Sequence, residues 1–477
     1  MTMSSAKLLA LFLPGFLAGC VSLDPHYARP DNAVVAATPA GEAYRNLQPN
    51  ATNYRDISWQ AYVQDPQLRQ VVAMALDNSR DLREAVASVK SAHAQYGEQR
   101  SNLFPSLSAD VSGTRSRALT GEGNQTALGN SYSAEGSVSS FELDLFGKNQ
   151  SLSRQQFETY LGTLEGARST RLTLLYNTTG YWLQLAADRS NLEIAKETAE
   201  SARQSLEVTR KRLQNGVASM VDVASAETTW HSAQADVASY TTSVAQDKNA
   251  LDLVVGKSVP ENLLPKNIES LGQALREVPA GVSSEALNNR PDVLQAEHNL
   301  KAANANIGAA RANFFPSISL TASGGVGSSD LSSLFKNGVG IWSFAPSISL
   351  PIFKGGYNVS YLNYTKAQKE YYVAVYEKSV QTAFQEVADA LARKGTINDQ
   401  LTSQRNNVAA SQTYYHLAEL RYQRGVDTYL NALTAQRTLY TARTSLVSVE
   451  QAYYQNLNTF YKVLGGGTAL PESELKM

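Results

Sequence analysis

Leu103-Phe104-Pro105-Ser106-Leu107-Ser108 returns 211 residues later as Phe314-Phe315-Pro316-Ser317-Ile318-Ser319. Each copy opens on a Phe-Pro break and then alternates apolar with small polar residues. That is the period of a strand with two unlike faces. Leu107, Ala109 and Val111 share one face; Ser106, Ser108, Asp110 and Ser112 share the other. In the second copy Ile318, Leu320 and Ala322 oppose Ser317, Ser319, Thr321 and Ser323. The repetition extends outward. Leu76-Asp77-Asn78-Ser79-Arg80-Asp81-Leu82 pairs with Leu287-Asn288-Asn289-Arg290-Pro291-Asp292-Val293 at the same offset. Leu143-Asp144-Leu145-Phe146 pairs with Leu350-Pro351-Ile352-Phe353. Arg212-Leu213-Gln214-Asn215-Gly216-Val217 pairs with Arg421-Tyr422-Gln423-Arg424-Gly425-Val426 at offset 209. A period this long is no solenoid repeat. Residues 65–256 and 281–465 are two copies of one plan, joined by a Pro-containing connector, 257–280.

Each copy reads as helix, strand, strand, long helix, turn, long helix. Phe141, Leu143 and Leu145 oppose Ser140, Glu142 and Asp144; Trp342, Phe344, Ile348, Leu350 and Ile352 oppose Ser343, Ser347 and Ser349. Strands of about 8–12 residues cross a bilayer when tilted ~45°. One apolar and one polar face suit a barrel wall between lipid and water. A soluble sheet packed on a core gives the same alternation. Gly113–Tyr132 and Gly324–Gly340, rich in Gly, Ser and Asn, are expected to be hairpin loops. Leu152 to Arg212 has no proline and predicts a helix of roughly 90 Å at 1.5 Å per residue. Val217–Val255, Val359–Tyr422 and Tyr429–Leu464 are similar. Their apolar stripe is narrow and Ala-rich, as in Leu172, Leu175, Thr179, Trp182 and Ala186, and suits closely packed neighbours. A plain coiled coil also fits the helices taken alone.

The first twenty residues, MTMSSAKLLALFLPGFLAGC, place Lys7 before a short apolar run, Leu8–Leu17. The run is too short to span a bilayer of ~30 Å. It reads as a secretory signal, 1–19. Its end, Leu17-Ala18-Gly19-Cys20, resembles the acylation box of bacterial lipoproteins, in which the Cys carries lipid after cleavage. Cys20 is the single cysteine of the chain. An ordinary cleavage site with a chance Cys is the alternative. Val21 follows Cys20; by the same resemblance an Asp there favours the inner membrane, so Val21 is compatible with the outer one.

Composition narrows the function classes. Among 477 residues, 42 Lys and Arg balance 43 Asp and Glu, leaving a net charge of -1 and no footprint for nucleic acid. Mean hydropathy, -0.29, is too polar for a bundle of membrane helices. A lone Cys excludes an intrachain disulfide framework and a thiolate zinc site. The five His (His26, His93, His231, His298, His416) lack ligand spacing. No nucleophile elbow, phosphate loop or C-x-x-C is present, so no enzyme activity and no cofactor or metal are expected.

Taken together, the acylation box, the duplication, the paired strands and the paired hairpins resemble the outer-membrane efflux factors, the TolC/OprM family, in its lipoprotein branch. The specific signals are the two Phe-Pro-Ser strand starts, the two Arg-x-x-x-Gly-Val turns and Arg290-Pro291-Asp292-Val293. The resemblance implies an α+β membrane protein: a homotrimer with an outer-membrane β-barrel of four strands per chain, continued by a long periplasmic α-helical barrel. It implies an acylated N-terminal segment, 20–64, which with the connector and the C-terminal tail, 466–477, forms an equatorial belt. It implies a passive exit duct in a tripartite pump, with a periplasmic adaptor, an inner-membrane transporter and outer-membrane lipid as partners. The adaptor-facing turns would be Gly216, Val217, Ala218, Gly425, Val426 and Asp427. The periplasmic gate would include Leu430 and, where relatives carry an acidic ring, Thr434; Asp427 is the nearby acid that could replace that ring. A trimeric coiled-coil lipoprotein of structural role, or an exit duct for type I secretion, are the other readings.

Overall fold

The computed structural model describes residues 22–30, 41–44, 54–119, 126–277 and 287–468. In chain order these form α1 (Trp59–Tyr62), α2 (Pro66–Asn78), α3 (Arg80–Ser101), β1 (Leu107–Leu119) and β2 (Thr126–Leu143). Then come α4 (Lys148–Gln214) and α5 (Met220–Val255). The second copy supplies α6 (Pro291–Ala312), β3 (Ser317–Ser328), β4 (Val339–Ser349), α7 (Tyr357–Gln423) and α8 (Tyr429–Val463). α4 and α7 are both 67 residues long. By contacts the chain divides into two units. One comprises residues 1–31, 88–164 and 295–377; the other comprises 32–87, 165–294 and 378–477.

The first unit holds an antiparallel sheet of order β1-β2-β3-β4, so β1 and β4 are its free edges. The strands run further than the sequence suggests. β1 continues to Leu119 and β2 begins at Thr126, so most of the stretch expected as a loop from Gly113 to Tyr132 is paired backbone. The apolar alternation fades there, and Gly and Ser lower strand propensity, but cross-strand pairing decides. Between β3 and β4 the loop is also shorter than expected, with a 3-10 turn at Leu331–Ser333. Leu145, Leu350 and Ile352 lie past the strand ends.

The two faces differ over most of the sheet. Ser108 meets Ser137 at 2.8 Å, Ser112 meets Ser133 at 2.9 Å and Ser323 meets Ser343 at 3.0 Å on the polar face. Asp110 and Glu135 face each other across β1 and β2 on this side. The apolar face carries Leu107, Val111, Leu128, Trp342, Phe344 and Ile348, all exposed. A bulge between Val138 and Phe141 keeps the faces sorted. Without it, two-residue alternation would send Phe141 to the polar side. Ser140, inside the bulge, has φ 52° and donates its N–H to Thr321 Oγ1.

Ser22–Pro30 forms a strap on the helices of this unit. Asp24 accepts from Ser151 Oγ at 2.5 Å and pairs with Arg154 at 2.5 Å. Arg311 donates to the Leu23 carbonyl and Asn304 to that of Pro25. Arg29 pairs with the buried Glu297 at 2.5 Å. The strap lies so close to α6 that a Cβ on Gly308 would fall 1.8 Å from Asp24 Oδ1.

The second unit is a helical core closed by α1, the connector and the chain end. Tyr62 stacks on Tyr461 at 4.3 Å and donates its hydroxyl to the Leu457 carbonyl. Trp182 donates to the Leu263 carbonyl, and Ile268 N–H to Ser190 Oγ. The narrow stripe of α4 is buried as expected: Leu172, Leu175, Thr179, Trp182 and Ala186. Arg290 is buried and binds Asp292, Glu386 of α7 and the Val463 carbonyl of α8.

Candidate functional site: the two interhelical turns

Both turns end their first helix in the same way. Gly216 has φ 72° and donates to the Leu213 carbonyl; Val217 donates to that of Arg212. Gly425 has φ 75° and donates to the Tyr422 carbonyl; Val426 donates to that of Arg421. This pair of bonds satisfies carbonyls that a helix end leaves orphaned, and it needs a left-handed residue at the glycine. The local sequence therefore dictates the turn.

The second helix of each hairpin starts differently. Ser219 and Asp222 form a reciprocal capping box at the start of α5. Thr428, at the same place before α8, makes no side-chain cap bond. Asp427 organises that turn instead. Its carboxylate accepts from the Thr428 N–H at 2.8 Å, from Asn431 at 2.5 Å and from Arg421 at 3.1 Å. These donors, the backbone N–H first, hold its carboxyl below the usual carboxylate range.

Beneath the turns lies a small core of Leu206, Val223, Ala226, Tyr422, Tyr429, Ala432 and Leu433. Tyr422 and Tyr429 pack edge to face at 5.4 Å. Arg212 reaches from α4 to the second hairpin, lying 4.6 Å over the Tyr422 ring and donating to the Tyr422 carbonyl. Burial pushes the Tyr429 hydroxyl up to about 12. Above this core Val217, Met220, Val221, Val426 and Leu430 are all exposed, each by more than 60%. Asp427 and Ala218 are half-buried. The turns thus combine a rigid backbone with an apolar surface suited to a partner.

Leu430 is 65% exposed and so is not a packing residue between the helices of its own chain. Thr434 follows it on the same exposed face and donates its hydroxyl to the Leu430 carbonyl at 2.8 Å. Arg437, also exposed, comes one turn later. Asp427 is engaged with Arg421 and Asn431. This stretch of α8 therefore offers a leucine, a threonine and an arginine. The sequence reading missed Arg437, Met220, Val221 and the buried tyrosines. Arg437 could have been found from its spacing of three from Thr434.

A family model described as outer membrane efflux protein matches the chain twice, over residues 71–257 and 282–466. The chain belongs to the outer membrane efflux protein family. Members of this family are efflux channels, transport ducts rather than enzymes. The toluene efflux pump outer membrane protein TtgC of Pseudomonas putida is 43% identical over 463 residues, 97% of this chain and 96% of its own. The cation efflux system protein CusC of Escherichia coli is 37% identical, over 98% of this chain and all of its own. Among solved structures, the open state of the Neisseria gonorrhoeae MtrE outer membrane channel superposes with a TM-score of 0.83 at 34% identity. The match covers 94% of this chain and 99% of that one. As an outer membrane efflux protein, the chain is a component of the outer membrane. Among the described residues no helix is long and apolar enough to cross a membrane. Nor is any group of three His, Cys, Asp or Glu placed to hold a metal ion. Cys20, the signal residues and the tail beyond residue 468 lie outside the described residues.

Proposed function

We propose that this chain is the outer-membrane duct of a tripartite efflux pump, working as a homotrimer. The observation that carries this reading is the four-stranded sheet with two free edges, one apolar exposed face and one Ser-lined face. Four strands cannot close around a channel, and an edge left open in lipid strands its backbone N–H and C=O groups. Three copies, each pairing β4 with the next β1, supply about twelve strands, enough to close. The apolar face then meets lipid and the serine face meets water. The exposed apolar residues of the turns dock a periplasmic adaptor, which links the duct to an inner-membrane transporter. Leu430 from three copies narrows the resting mouth by dewetting. Cys20 carries lipid, an auxiliary anchor beside the barrel. The duct is passive; the transporter supplies energy and selects cargo.

The test is reconstitution of the purified protein into planar bilayers, with a deletion strain challenged by toxic compounds. Stepwise conductance from a heat-resistant trimer, with resistance restored by the gene, is expected. An acylated trimer that never conducts would favour a structural lipoprotein and overturn the duct. Cys20→Ser should abolish labelling by a radioactive fatty acid; persistent labelling would sink that assignment.

A further inference from the structure

The apolar face of the sheet does not stay apolar to its end. Along β1 this face carries Leu107, Ala109, Val111 and Gly113, and then Arg115 and Arg117. Across from them on β2 stand Val138, Gly136, Ala134, Tyr132, Asn130 and Leu128, in that order. The Tyr132 ring leans over Gly113, where a Cβ would come within 2.9 Å of it. The face thus passes from aliphatic residues, through one aromatic ring, to two guanidiniums and an amide. Both arginines are exposed, and among the described residues neither has an ion-pair or hydrogen-bond partner. Asp110 and Glu135, the carboxylates paired between β1 and β2, project from the opposite face and cannot reach them.

Their height along the strand fits a membrane boundary. At ~3.3 Å per residue and a tilt of ~45°, Arg115 and Arg117 stand roughly 19 and 23 Å beyond Leu107 along the membrane normal. The apolar band of a barrel is about 25 Å tall, and Arg on the lipid face is tolerated only near its rims. An unpaired guanidinium there matches phosphate, which it binds by two parallel N–H donors. The exposed Leu128, directly across from Arg117, offers apolar surface beside it, so an amphiphile with a phosphate head and acyl chains fits better than a free ion.

We infer that Arg115, Arg117 and Asn130 form a binding site for the phosphate of an outer-leaflet lipid headgroup. This rests on the membrane-barrel reading of the sheet. The test uses the full trimer in nanodiscs made with bis-phosphorylated lipid A, or with the same lipid stripped of phosphate. Retained lipid is counted by native mass spectrometry, and insertion is checked separately by protease protection. The wild type should retain the phosphorylated lipid, and millimolar inorganic phosphate should not displace it. Arg115→Gln with Arg117→Gln should weaken retention about tenfold while leaving insertion intact. Arg115→Lys with Arg117→Lys should stay within a few-fold. Equal retention by the glutamine variant, or by phosphate-free lipid, overturns the site. So does displacement by inorganic phosphate. Loss of heat-resistant trimer in the glutamine variant, with lipid retention per trimer unchanged, would assign the arginines to a neighbouring copy instead. A wild type that fails to insert removes the barrel reading and the site together.

Discussion

The two interhelical turns share a backbone and differ in what holds it. In the first, Ser219 and Asp222 cap the returning helix, and the residue before the cap is Ala218. In the second, the acid has moved to that earlier place, Asp427, and Asn431 stands where Asp222 stood. Met220 is exposed; its counterpart Tyr429 is buried in the core beneath the turns. Arg212 crosses to the second hairpin, whereas Arg421 stays on its own turn with Asp427. Duplication has kept the geometry that the glycines require and freed the side chains around it. The first turn is stapled locally, and the second is both core and clasp.

The largest effect should come from removing that core. Tyr429→Ala should destabilise the second turn by about 3 kcal/mol, the range of large-to-small core changes. Met220→Ala should change the first by almost nothing. Hydrogen exchange at the two turns, in intact trimers, measures both; equal loss of protection would erase the asymmetry. Next come the glycines. Gly425→Val should cost roughly 1–2 kcal/mol at its left-handed position, keep heat-resistant trimers, and lose adaptor cross-linking and drug export. Gly216→Val should do the same at the first turn. Full cross-linking and export in either variant would show that the turn geometry is not what the adaptor reads.

A charge difference further along the hairpins gives a smaller effect. Asp188 and Asp247 lie on the first hairpin; at the same offset of 209 the second carries Ile397 and Asn456. Burial, and then the neighbouring Asp188, raise the Asp247 carboxyl to about 7. A carboxyl whose folded pKa is raised contributes stability at low pH and loses it as pH climbs from about 4 through about 7. Asp247→Asn, which copies the second hairpin, should remove this pH dependence and stabilise the first hairpin above pH 7. The gain should be on the order of 1 kcal/mol after discounting for partial exposure. Thermal unfolding of both proteins between pH 5 and about 8.5 decides it, and parallel curves would mean the pair does not share a proton.

The smallest structural cost belongs to the proposed gate, Leu430 and Thr434. Leu430→Ala should leave stability unchanged, raise single-channel conductance and sensitise cells to large antibiotics; Val221→Ala, its exposed counterpart, should leave all three unchanged. Thr434→Asp should bring block by divalent cations, since three clustered carboxylates favour bound cations. Bilayer recordings of these variants test the assignment. If Leu430→Ala conducts like the wild type, the constriction lies elsewhere.

Period and punctuation made most of this fold readable. The Phe-Pro-Ser starts marked β1 and β3, and proline-free stretches marked α4 and α7 to within a few residues. The Gly-Val pairs marked the turns, because only a left-handed residue closes a helix that way. What stayed hidden depends on partners distant in sequence. Ser139 and Ser140 look like ordinary strand residues; the bulge exists because β3 fixes the register on the far side. Gly113 and Gly129 look like loop residues, yet cross-strand pairing holds them in β1 and β2. At the turns, the glycines were visible, but the burial of Tyr429 was not, since its neighbours Leu206 and Val223 come from the other hairpin. Arg290 was visible as a motif and unreadable as a hub, because Glu386 and Val463 come to it only through folding.

The strap at Asp24 fixes a length. Asp24 is pinned by Ser151 and Arg154, and Gly308 leaves it no room to slide. Three residues, and so four Cα-to-Cα steps, separate it from Cys20, and a fully extended chain gains at most about 3.5 Å per step. A lipid on Cys20 is therefore moored on a leash of about 14 Å. Its acyl chains can enter the bilayer only within that radius of the start of α4. A lipid carried there, as proposed for Cys20, would act as a depth gauge for the sheet, and lengthening the leash by a few inserted glycines would loosen that setting without touching the barrel.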